Sequence, residues 1–71
     1  MDQRIAITPH STAPSAVKAT IATFKMLPGC TFEPDDDLDD QGRITGSTNN
    51  ASMVEWMSDH QGYAKKVEKL A

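Results

Sequence analysis

Residues 30–47 read "CTFEPDDDLDDQGRITGS", and the fold turns on how they are taken. "CTFE" (30–33), with Cys30 and Phe32 facing one way, and "GRITGS" (42–47), centred on Ile44, each suit a short strand. If both are strands, the acidic run between them is a hairpin loop and the protein is α+β. If both are irregular, the chain is all-α with a long acidic loop. The hairpin is favoured, because like charges repel less on a solvated tip than on a packed surface.

Working toward the N-terminus, "RIAIT" (4–8) alternates. Ile5 and Ile7 fall on one side and Arg4, Ala6 and Thr8 on the other, the pattern of a half-buried strand. "PHSTAPS" (9–15) breaks it. From Ala13 a helical stripe follows through Val17, Thr20/Ile21, Phe24 and Leu27, spaced three and four apart so as to share a face. Ser11 or Thr12 is the expected cap, and Pro14 is tolerated in a first turn whose amides need no intrahelical partner. Pro28 and Gly29 end the helix.

Toward the C-terminus, Met53, Trp56/Met57, His60, Tyr63/Ala64, Val67 and Leu70 keep helical phase across Gly62. This predicts one long helix weakened at that glycine, with Asn49 or Asn50 as cap or Ser52 and Glu55 as a capping box. Glu55 and Asp59 early and Lys65, Lys66 and Lys69 late suit its dipole. The expectation is a single small domain, residues 1–71, ordered β-α-β-β-α. Its first two strands pair in parallel through a crossover helix, both helices lie on one face of a short sheet, and residues 33–41 form an acidic loop.

At 71 residues the chain supports one marginal core. Cys30 is the only cysteine, so no disulfide forms within the chain, and a reducing compartment is expected. No apolar run approaches the roughly 20 residues of a membrane span. "MDQRIAIT" has neither the basic start nor the apolar stretch of a secretory signal. The expected location is the cytoplasm, without a membrane. Glu33, Asp35, Asp36, Asp37, Asp39 and Asp40 carry six negative charges, and removing them from the net charge of −3 leaves +3. The molecule is a mildly basic body with one acidic knot.

Three kinds of chemistry compete for that knot. Read from Asp37, "DLDDQGRITGST" partly resembles an EF-hand calcium loop, with Asp37, Asp39 and Gln41 at its first three ligand positions and Gly42 at its turn. Thr48 stands where a bidentate glutamate closes such loops, and Gln41 is neutral where Asp or Asn is usual. Calcium or magnesium held by residues 37–45 is therefore the alternative reading. The favoured one is electrostatic docking to a basic surface on a larger protein, including a surface that normally holds nucleic acid. The plainest is a solvated loop that only aids solubility.

Catalysis has little to rest on. No spacing brings Cys30 to His10 or His60, and no Cys/His pair has zinc spacing. Cys30 reads as a small buried hydrophobe and His60 as a core or interface residue. Lys65, Lys66 and Lys69 near Tyr63 are ordinary at a helix end, and the knot would repel phosphates, so direct nucleic-acid binding is not expected. Trp56 and Tyr63, types enriched at interfaces, supply added contact area for a partner or for a homodimer. The sequence thus predicts a non-enzymatic interaction module, an inhibitor or adaptor, docking through the acidic loop.

Overall fold

The computed structural model describes residues 2–70. Six elements follow in order: β1 (Gln3–Thr8), α1 (Pro14–Lys25), β2 (Phe32–Pro34), β3 (Ile44–Thr48), α2 (Ala51–Gln61) and β4 (Lys66–Lys69). The domain is α+β, and its four strands form one antiparallel sheet ordered β2-β3-β1-β4. This is two interleaved split β-α-β units.

The interleaving corrects one expectation. β1 and β2 do run parallel, but they do not pair, because β3 lies between them and is antiparallel to both. The hairpin forms as predicted, with Phe32 opposite Thr48 and Pro34 opposite Gly46. Ile7 faces Ile44 across the next ladder.

A second correction concerns the last segment. The long helix does not exist: α2 ends at Gln61, and Gly62 caps it with a left-handed φ of 69°. Residues 66–69 then run as a strand along β1. The amide of Lys65 donates to the Thr8 carbonyl, and that of Leu70 to the Arg4 carbonyl, each at 2.8 Å. Two lysines expected at a helix C-terminus, Lys66 and Lys69, thus lie on an edge strand, and Lys69 reaches back to Glu55 of α2 at 3.7 Å. Of the two readings of His60, core or interface, the core one is corrected. It is exposed rather than buried, stacked on Trp56 at 4.9 Å between ring centroids.

Helix caps follow local chemistry. Asn50 accepts the amide of Met53 through its side chain at 3.1 Å, as one of the sequence options anticipated. α1 has no side-chain cap: Ala13 holds the N-cap position, and Ser11 Oγ instead accepts the Ala13 amide.

Both helices cover one face of the sheet, α1 over β2 and α2 over β4. Phe24 of α1, Leu27 just beyond its C-terminus and Val54 of α2 meet Ile5, Ile7, Phe32 and Ile44 in one buried cluster. Phe24 is its hub, edge-to-face with Phe32 at 6.4 Å and with Tyr63 at 6.2 Å. Cys30 is buried beside it, its Sγ 3.4 Å from Thr48 Oγ1. Ser58, buried on α2, donates to the Ala64 carbonyl at 3.0 Å and ties the turn into β4 to the helix. The opposite face of the sheet is polar, carrying Arg4, Glu33, Thr45, Ser47 and Glu68 around the small Ala6.

Candidate functional site

The acidic run forms the loop between β2 and β3, and its carboxylates divide into two groups. Asp35 and Asp39 bond to the protein itself. Asp35 extends the hairpin, its amide donating to the Thr45 carbonyl at 2.8 Å. Its carboxylate accepts both arms of the Arg4 guanidinium, at 2.9 and 2.7 Å, and the Thr45 hydroxyl at 2.7 Å. Arg4 sits on β1, so this fork reaches across β3 and fastens the end of β2 to the centre of the sheet. Hydrogen bonds from Arg4 and then Thr45 hold Asp35 far below the ordinary carboxylate range.

Asp39 organises the tip. Its carboxylate accepts the amides of Arg43 at 2.7 Å and Gln41 at 3.0 Å, and the Arg43 guanidinium at 2.7 Å. The Gly42 amide donates to the Asp39 carbonyl, and the Asp39 amide to the Arg43 carbonyl, both at 3.0 Å. Gly42 itself has φ of 75°. A tight turn followed by a left-handed glycine is a common way to close a hairpin. The Arg43 amide pulls the Asp39 pKa down most; burial opposes it, and the Arg43 side chain and the Gln41 amide add smaller downward pulls. Arg43 also reaches Glu68 of β4 at 3.7 Å.

Glu33, Asp36, Asp37 and Asp40 form the other group. All four are exposed, and none makes an ion pair among the described residues. The loop is thus pinned by Asp35 and Asp39, while Asp36, Asp37 and Asp40 face solvent, as does Glu33, which lies not in the loop but on β2.

This arrangement bears directly on the calcium reading. Asp39, its second ligand, is occupied by Arg43 and the loop amides, and Gln41 contributes its backbone to the same turn. No group of three or more His, Cys, Asp or Glu side chains among the described residues is placed to share a metal ion. The glycine and the aspartate that suggest a cation loop serve here as parts of a hairpin turn.

Trp56 and Tyr63 lie apart from the acidic loop. Trp56 stands on α2, over the opposite edge of the sheet, and is 49% exposed. Tyr63 is half-buried against Phe24 and lines a shallow notch of about 360 Å³ with Met26, Leu27 and Met57. Met26, which the sequence reading passed over, is 80% exposed at the mouth of that notch. Its place off the apolar stripe, between Phe24 and Leu27, was the available signal.

The groups that could suggest catalysis are dispersed. His10 Nε2 is 2.7 Å from the Gly62 carbonyl, and His60 Nδ1 is 3.2 Å from the Trp56 carbonyl. The Cys30 Sγ neighbours are Thr48 and the carbonyls of Thr31 and Asn50. The aromatic side chains belong to the helix-side core or to α2, and none lies on the polar sheet face, where base-stacking sheets carry theirs. No helix among the described residues is long and apolar enough to cross a membrane. Comparison of the chain with family models finds no match, and comparison with curated proteins and with solved structures finds none either.

Proposed function

We propose that this chain is a non-enzymatic interaction module that docks a basic surface of a larger protein, acting as an inhibitor or adaptor. The observation that carries this reading is the division of labour in the acidic loop. Arg4 and Arg43 hold Asp35 and Asp39, so both ends of the acidic run are tied to the body of the domain before any partner arrives. Asp36, Asp37 and Asp40, with Glu33 beside them on β2, keep unpaired charge on its outside. A solubility tag needs charge but no such scaffold. A preorganised patch saves the ordering cost that a floppy one incurs on binding, and concentrated charge speeds encounter with a cationic surface. A surface that normally holds nucleic acid presents cations of the matching kind.

Capture of partners from lysate on the immobilised chain tests the reading. A partner retained at low salt should be released at high salt and lost from the Asp36→Asn/Asp37→Asn/Asp40→Asn variant, since exposed charge pairs are screened. Retention through both changes would remove electrostatic docking as the mechanism.

A further inference from the structure

The acidic run is interrupted by one apolar residue, Leu38, which remains 36% exposed. It belongs to a groove of about 430 Å³ between α1 and the loop, a volume within the roughly 300–1,000 Å³ of ligand-holding clefts. Val17 and Ile21, one turn apart on α1, supply the apolar floor together with Ile44 of β3. Leu38 closes it from the loop. The two walls carry opposite charge: Asp36 and Asp37 on the loop, Lys18 on α1. Lys18 makes no ion pair among the described residues. The uncapped N-terminus of α1, at Pro14, adds partial positive charge on the same side as Lys18.

We infer that this groove grips a segment of the partner in which an arginine or lysine adjoins an apolar residue. The inference rests on the docking function proposed above and says where the partner is held. A long cationic side chain has an apolar stem and a charged head. Its stem, with the neighbouring apolar residue, covers Val17, Ile21, Ile44 and Leu38, and its head meets Asp36 and Asp37. Two unpaired carboxylates outweigh one lysine across the groove, so the charge pattern selects a basic occupant. Lys18 repels the same head and orients it toward the loop.

The probe is the blocked peptide acetyl-Arg-Leu-Arg-Leu-amide, titrated into the full chain and followed by methyl and amide NMR. Shifts at the methyls of Val17, Ile21, Leu38 and Ile44 are expected. Replacing arginine by neutral, isosteric citrulline should weaken binding about tenfold or more, as loss of charge-assisted hydrogen bonds does. Leu38→Asn and Asp36→Asn/Asp37→Asn should weaken it, and Lys18→Gln should tighten it. The peptide comparison leaves the protein unaltered, so it holds even if a variant unfolds. Equal binding of the glutamate analogue, no binding at all, or shifts confined to the amides of residues 36–40 would each overturn the groove as the grip. So would methyl shifts that follow protein concentration without peptide, which would mark a second copy as occupant. In lysate capture, Leu38→Asn separates the two ideas: a partner lost from the triple aspartate variant but kept by Leu38→Asn sinks the groove and leaves docking standing. Capture indifferent to both variants sinks both.

Discussion

The loop from Asp35 to Arg43 and the connection from Gly62 to Lys65 both turn on a glycine of positive φ, 75° at Gly42 and 69° at Gly62. They are secured by opposite means. The loop is fixed at the surface by Arg4, Arg43 and its own amides. The connection is fixed inside, by buried Ala64, the Ser58 bond to its carbonyl, and Tyr63 against Phe24. Charge can hold a segment without covering its outer side, which leaves that side available for a partner. Burial holds a segment by using its surface up.

Phe24→Ala should have the largest effect, because Phe24 serves both regions through Phe32 and Tyr63. A loss of about 3–5 kcal/mol is expected for a buried phenylalanine, a large share of the roughly 5–15 kcal/mol that stabilises a typical domain. Urea unfolding measures it, and a cost below that of a surface substitution would displace Phe24 from the centre of the core. Gly62→Ala comes next. A side chain in left-handed backbone costs about 1–2 kcal/mol, so the midpoint should fall. A rise would mean that the chain prefers the continuous helix after all.

The acid response separates the two regions most cleanly. Asp35 and Asp39 have folded-state pKa values below their unfolded ones. Their contribution is therefore present above about pH 4 and is lost as pH falls toward the folded values. Melting temperature should drop across that acid range, and the Asp35→Asn/Asp39→Asn variant should start lower at neutral pH with a flatter profile. An unchanged slope in that variant would assign the acid sensitivity to other groups. The smallest effects belong to the outer carboxylates. Asp36→Asn/Asp37→Asn should leave the melting temperature unmoved, as should millimolar calcium; a clear rise with calcium would revive the cation loop, since a ligand of the native state stabilises it.

These contrasts explain what the sequence disclosed. The hairpin was readable because proline, an aspartate run and Gly42 punctuate two short apolar segments, and composition marks an exposed loop strongly. The end of α2 was not, because Tyr63, Ala64, Val67 and Leu70 fall by coincidence at helical spacing, and a four-residue strand is too short to show its own period. A glycine directly after a last turn bearing His60 was the stop signal, outweighed by that phase. The pairing of β1 with β3 and β4 could not be seen locally, since "RIAIT" shows that it is buried but not which strands flank it. Within the site, the acidic residues were evident, but their division was not. Arg4 lies 31 positions from Asp35, and only the folded sheet brings them together.

The rims of the sheet add a constraint on how any partner can approach. Because the amide of Asp35 points inward to Thr45, alternation turns the nitrogen of Pro34 outward, where it has no hydrogen to offer an incoming chain. The other rim, β4, carries Lys66, Glu68 and Lys69 within four residues, a density of charge that discourages edge-to-edge pairing with another strand. Backbone zippering is thus blocked on one flank and disfavoured on the other. Neither rim is a good template for a further strand, so a docking partner of the kind proposed would be held by side chains.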